Sequence, residues 1–150
     1  MSRHSAFIDW RSDGGFADNS YSRRHVWRFD GGAEVVASAS PDVVPVPRSD
    51  PAGVDPEEAL VASTAACHMH WFLSLAQEAG LEVESYADEA VAEMGRTGPG
   101  KYAITRITLR PRIAFAGRRP DEAELARLHH AAHERCFIAN TLNCEIVVAS

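Results

Sequence analysis

The sequence predicts an α+β fold, one sheet wrapped on a long central helix, with elements in the order ββ-α-ββ-α-β. Three observations carry this. β-favouring residues flank an Asp-Gly turn in the first third, a long apolar run follows a helix-start signature at Asp55, and apolar residues alternate between Ile107 and Phe115. A chain of 150 residues with 45% hydrophobic and 24% charged residues supports one core, and 1–150 is predicted as a single domain.

The first hairpin is read from RRHVWRF and AEVVASA around Asp30-Gly31-Gly32. The Pro-rich stretch from Pro41 to Pro56 reads as an extended connector between elements. Asp55-Pro56-Glu57-Glu58 then has a capping residue, a proline at the first helical position and a glutamate three residues past the cap, so a helix starts here and runs to Gly80. From Leu60 to Leu75 it is apolar or small nearly all round, interrupted by His68 and His70, and such a helix needs cover on most sides. Val83 to Glu93 and Tyr102 to Phe115 are predicted as two strands joined by a turn at Gly95 to Gly100. Asp121 caps a second helix ending near Arg135, which puts Cys136 at its end, and Cys144 opens a short closing strand.

The net charge of -6 is spread without a basic stripe, which argues against a nucleic-acid or anionic-membrane surface. No uninterrupted apolar run approaches the roughly 20 residues of a membrane span, and the first twenty residues lack a signal-peptide h-region, so a cytoplasmic protein is expected. Three cysteines in such a setting stay reduced at rest; their function is catalytic, redox-sensing, metal-binding or absent.

Cys67 stands in mid-helix, where an isolated cysteine is more often a small buried hydrophobe than a reactive thiol. Cys136, at a helix end, has a stronger claim to chemistry. Cys144 reads as a strand packing residue. A competing constellation is histidine-rich: His68 and His70 near Cys67, with His129, His130 and His133 near Cys136. His129 and His133 share a helix face and with a cysteine would fill three positions of a zinc site, although no ligand spacing such as C-x-x-C is present. Otherwise His129 and His130 are expected to be solvated or interfacial, and His68 and His70 satisfied core groups or pocket lining. Trp71 and Phe72 fit either a core or an apolar pocket wall.

The stretch Asp55-Pro56-Glu57-Glu58-Ala59-Leu60 running into Ala65-Ala66-Cys67-His68, followed by His133-Glu134-Arg135-Cys136-Phe137-Ile138-Ala139-Asn140-Thr141, resembles the osmotically inducible protein C and organic hydroperoxide resistance (OsmC/Ohr) family. Gly80-Leu81-Glu82-Val83 and Ile104-Thr105-Arg106-Ile107 are also similar to it, so the resemblance extends from about Arg23 onward. It implies an OsmC-like fold and a thiol-dependent peroxidase that reduces organic hydroperoxides to alcohols without a metal or other cofactor. Cys67 would become a sulfenic acid and Cys136 would resolve it as a disulfide, restored by a dithiol or lipoyl-type reductant. Glu57 and Arg23 match the glutamate and arginine that the family uses to organise the thiolate; Arg24 is the adjacent alternative. Read without the resemblance, Glu57 is an ordinary first-turn glutamate and Arg23 an exposed strand-end residue.

Glu57 and Cys67 stand about 15 Å apart along a straight helix, too far for the glutamate to reach. Together with the apolar circumference of that helix, this predicts an intertwined two-fold homodimer whose sites combine residues of both chains. A Cys/His metal-binding protein and a non-catalytic stress protein of the same fold are the alternative readings.

Overall fold

The computed structural model of the chain describes residues 1–149. The α+β class expected from the sequence is what the chain adopts, in two compact units, Met1–Ala59 and Leu60–Ser150.

The N-terminal unit is an antiparallel meander of β1 (Ala6–Asp9), β2 (His25–Phe29) and β3 (Glu34–Ala37) in the order β1-β2-β3. The expected hairpin is β2-β3, with Trp27 opposite Val35 and a left-handed Gly32 (φ 91°) at the Asp-Gly turn. β1 was not expected. It is a four-residue strand whose first three residues are exposed, so it shows no buried alternation to read. It is held in part by Arg28 of the middle strand, whose guanidinium donates to Asp9 at 3.1 Å and to Glu34 at 2.7 Å on either side. The Pro-rich stretch is not simply extended. It runs through turns and returns to β3, where Val54 N–H donates to Val36 O and Ser38 N–H donates to Val54 O, both at 3.0 Å.

α1 (Pro56–Glu78) begins and ends as the sequence dictates. Asp55 Oδ1 accepts from Glu58 N–H at 2.8 Å and Glu58 Oε2 accepts from Asp55 N–H at 3.2 Å, a reciprocal cap that satisfies two backbone donors and is worth about 1 kcal/mol. At the other end Gly80 takes φ 73°, Leu81 N–H donates to Ala76 O at 2.9 Å and Gly80 N–H to Gln77 O at 3.0 Å. A β-carbon would strain that left-handed position. Within the chain α1 buries only the stripe Thr64, His68, Phe72, Leu75 and Ala76, not most of its circumference as expected. Its 23 residues have an 18-residue window of mean hydropathy 1.2, long and apolar enough by composition alone to cross a membrane. That corrects the expectation that no segment comes near this length, which counted uninterrupted apolar runs and so discounted the alanines and the histidine breaks.

The two long strands foreseen between Val83 and Phe115 are each broken. The first is β4 (Glu82–Asp88) and β5 (Val91–Gly98), the second β6 (Lys101–Leu109) and β7 (Pro111–Ala116), with β4 paired to β7 and β5 to β6. Two local features mark the break. Pro111 has no N–H to give to a ladder, and Asp88 Oδ1 accepts the Arg110 N–H at 2.7 Å, turning the chain between the two pairs. The turn tightens to Pro99-Gly100, with Gly100 at φ 67°. β8 (Glu145–Val148) joins β6 in parallel, with Ile107 opposite Ile146. A parallel pair requires a crossover, here the segment carrying β7 and the two C-terminal helices. Among the described residues, backbone pairing thus forms three sheets rather than one.

α2 (Glu122–Arg135) is capped by Asp121, which accepts from Glu124 N–H at 2.7 Å. A short α3 (Phe137–Thr141), not foreseen, follows at once. The core of this unit joins Phe72, Leu75 and Ala76 of α1 to Leu81 and to Leu128 and Ala132 of α2, with Ile113 and Phe115 packed against it. Ala132 has no exposed surface and lies within this core.

Candidate active site

The packing of α1 against α2 brings Cys67 and Cys136 together, which their spacing in the sequence could not show. Leu128, His129, Ala132 and Cys136 fall on one face of α2 at helical spacing, and Cys67 lies beside the buried stripe of α1. Cys136 is 1% exposed and ends α2 while capping α3: its N–H donates to His133 O at 3.2 Å and its sulfur accepts from Ala139 N–H at 3.4 Å. Both thiols are free. Burial first, and then the neighbouring Cys67, push the Cys136 thiol up to about 11. Cys136 is therefore held protonated. A sulfur oxidised at Cys67 would have a protonated thiol near it.

Cys67 is half-buried, which leaves it open to a small reagent. Trp71, one turn along α1, sets its ring edge-on to Phe137 at 5.6 Å and has the Arg135 guanidinium 5.7 Å from its centroid. Phe72 is wholly buried. The sequence left core and pocket wall open for both; the structure buries Phe72 in the core and packs the half-buried Trp71 against that core. Arg135 was not singled out as a cation near that pair, and nothing in its sequence context distinguishes it from other helix-end arginines. Cys144 lies half-buried just before β8.

The histidines sort differently from expectation. His68 is buried and satisfied, as foreseen, but its partner is His129, expected to be solvated and instead 9% exposed. The ring nitrogens Nε2 of His68 and Nδ1 of His129 are 3.0 Å apart, and the rings stack at 5.3 Å. Phe72 closes the other face of His129 at 4.5 Å. Burial, joined for His68 by the nearby His129 and His133, pushes both histidines down to about 4. His70 and His130 are exposed. Among the described residues no group of three or more His, Cys, Asp and Glu is arranged to hold a metal ion.

Arg23 and Glu57 both lie in the N-terminal unit, and no ion pair joins them. Arg23 donates to Tyr21 O at 2.6 Å and to Asn19 Oδ1 at 2.8 Å, its guanidinium stacked 3.5 Å from the Tyr21 ring centroid. It lines a cavity of about 390 Å³. Arg24 instead pairs with Asp50 at 2.5 Å on the surface. Of the two arginines, Arg23 is the one presented to a cavity. Glu57 Oε2 is buried with no hydrogen-bond partner among the described residues, which the capping role alone does not explain, since Glu58 forms the cap.

The model of the OsmC-like protein family matches residues 49–150, more than half of the chain and including both cysteines of the pair. The chain belongs to the OsmC-like protein family. Among solved structures, an OsmC-like protein of unknown function from Vibrio cholerae is 49% identical over 99% of both chains, with a TM-score of 0.96. An organic hydroperoxide resistance protein OsmC from Legionella pneumophila aligns over 100% of both chains at 15% identity and a TM-score of 0.70. An organic hydroperoxide resistance protein from Elizabethkingia anophelis aligns over 100% of this chain and 97% of its own at 20% identity, also with a TM-score of 0.70. These two likenesses establish the fold. No curated protein matches the sequence significantly. The OsmC-like match begins at residue 49, so β1 to β3 and Arg23 lie before the matched segment.

Proposed function

We propose that this OsmC-like protein reduces organic hydroperoxides with dithiol reductants through Cys67 and Cys136. The observation that carries the reading is the pairing of a half-buried helical thiol with a neighbouring buried, protonated one in a fold shared with organic hydroperoxide resistance proteins. The Cys67 thiolate attacks the terminal peroxide oxygen; the O–O bond breaks, ROH leaves with one proton, and Cys67 becomes a sulfenic acid. Cys136, the neighbouring thiol, attacks that sulfur, releasing water and closing the disulfide. An external dithiol, a lipoyl group being one chemical type, reduces it. The sum is ROOH plus dithiol giving ROH, water and the oxidised reductant.

Two features support a homodimer with composite sites. α1 is continuous from Pro56 to Glu78, so Glu57 and Cys67 of one chain stay about 15 Å apart along it. The buried, unpartnered Oε2 of Glu57 would be satisfied by an arginine of a second chain, and the uncovered faces of α1 offer the apolar surface for association. Arg23 and Glu57 would then organise the Cys67 thiolate of the partner. The test is consumption of cumene or tert-butyl hydroperoxide with dihydrolipoamide. The reading expects turnover that disappears in Cys67→Ser and persists in Cys144→Ser; turnover in Cys67→Ser would overturn it.

A further inference from the structure

The C-terminal unit contains a second cavity, of about 1040 Å³, and none of the three cysteines lines it. Its origin is in the backbone pairing. β7 pairs with β4 and β8 with β6, while β7 and β8 have no ladder between them. Val148 stands opposite Leu109 at the end of β6, and Pro111 opens β7 two residues later, so β8 stops where the unpaired edge of β7 begins. Ile113 and Phe115 of β7, Ile146 and Val148 of β8, and Leu125 and Ala126 of α2 wall the space that results. Positions 113 and 115, like 146 and 148, are two apart in a strand, so each strand turns one apolar face to the cavity.

The space is long. Residues of α2 from Glu122 to His133 line it, a span of about 16 Å along the helix at 1.5 Å per residue. Its volume stands at the upper end of the range of small-molecule sites. Phe115 is its one phenyl ring and the other apolar walls are aliphatic, a lining suited to an extended alkyl chain.

The polar groups are sorted along that length. His129, His130 and His133 lie towards one end, and the exposed Glu122 at the other. His129 is about nine-tenths buried. Its Nδ1 is 3.0 Å from His68 Nε2, and Phe72 covers one face of its ring at 4.5 Å. Its Nε2 has no hydrogen-bond partner among the described residues, so a buried ring keeps an unpaired nitrogen where it lines an apolar space. A buried polar atom in that state calls for a partner.

The chemistry of that partner follows from what the walls lack. One of the two facing histidine nitrogens carries the proton between them, so His129 Nε2 is an N–H donor in one tautomer and a bare acceptor in the other. A hydroxyl serves either tautomer. A carboxylate only accepts, no lysine or arginine lines the cavity to offset its charge, and burial, by holding His129 down at about 4, keeps that ring neutral as well. An ammonium only donates, and the one carboxylate on the cavity, Glu122, is exposed at the far end, where water weakens the pair.

We infer that this cavity binds a long-chain aliphatic alcohol, with its hydroxyl on His129 Nε2 and its chain laid between α2 and the strands β7 and β8. The site is separate from the thiol pair and stands whether or not the protein reduces a peroxide.

Titrating the reduced protein at pH 7.5 with 1-decanol, decanoate and decylammonium compares three heads on one chain. 1-Decanol should bind once per chain by calorimetry, with a saturating shift of the His129 ring-carbon resonance and a Kd at least about tenfold below those of both charged ligands. Ala126→Phe, which places a ring in the space from an exposed helix position, should abolish binding. His129→Leu should weaken 1-decanol about fivefold to tenfold; should it fail to fold, Ala126→Phe and the three heads decide the matter. Cys67→Ser should bind as the wild type does. Equal affinity for the three heads, tighter binding of decanoate, or undiminished binding in Ala126→Phe overturns the inference. If a second copy of the chain covers the cavity instead, 1-decanol will not bind and Ala126→Phe will dissociate the copies in sedimentation, which overturns it too.

Discussion

Lowering the pH should unfasten the His68–His129 pair and destabilise the fold before the carboxylates respond. Both rings are buried and neutral, at about 4 against an ordinary 6.5. The groups that bear on them are each other and His133, all histidines, with the apolar Phe72 stacked on His129 and Glu122 on the cavity that His129 and His133 line. A histidine depressed in the folded state binds protons more readily when unfolded. Its contribution is therefore complete above pH 6.5 and lost as pH falls from 6.5 towards 4. Between pH 6.5 and 5 the loss is about 2 kcal/mol per ring, at about 1.4 kcal/mol per pH unit. Carboxylates held low by arginine, such as Asp9 beside Arg28, release their stabilisation only at more acid pH. Urea unfolding at pH 7.5, 6.5, 5.8 and 5.0, at one protein concentration, measures this directly, and His68→Leu/His129→Leu should flatten the dependence over the same window. Should that variant fail to fold, ring-carbon NMR of the wild type gives the answer alone: both histidines should remain neutral at pH 5.5. Either ring titrating near 6.5, or a stability independent of pH from 6.5 to 5, would refute the reasoning.

The remaining predictions concern the cysteines, the core and the assembly. Cys136→Ser should allow a single oxidation of Cys67 that is trapped by a sulfenic-acid reagent, but should block dithiol-driven turnover. Phe72→Ala should destabilise by about 3–5 kcal/mol in urea unfolding, because Phe72 has no exposed surface and its ring packs Tyr86 and His129 as well as the core; a loss below about 1 kcal/mol would mean the core collapses to fill the space. Arg23→Ala should lower kcat/KM by at least about tenfold, while Arg24→Ala, which removes only a surface pair to Asp50, should leave it within about twofold. Co-refolding Cys67→Ser with Arg23→Ala should restore part of the activity if the sites are shared between chains, and recovery absent from isolated heterodimers would confine each site to one chain.

Local chemistry was legible where one residue decides a backbone position. Asp55 and Glu58, Asp121, Gly32 and Gly80 each announced an element boundary that the structure keeps, because caps and left-handed turns are set within a few residues. Breaks caused by tertiary bonds were not legible: Asp88 reaching across to Arg110 divides strands whose alternation reads straight through. β1 and α3 are too short to show a period. In the site, residue types and order pointed to Cys67 and Cys136, while their proximity depends on the tertiary packing of α1 and α2 in one core. The His68–His129 bond joins positions whose patterns gave no reason to pair them. The cavity that Arg23 lines is assembled from β1, β2, the residues after β3 and the start of α1, so no local pattern announces it.

The account stands most directly on which sulfurs become linked. The reduced protein, treated with one equivalent of cumene hydroperoxide and digested under conditions that prevent thiol exchange, should yield one intrachain disulfide joining the Cys67 and Cys136 peptides, with Cys144 recovered as a free thiol. A disulfide containing Cys144, a bond between Cys67 residues of two chains, or three thiols left free by the peroxide would contradict it.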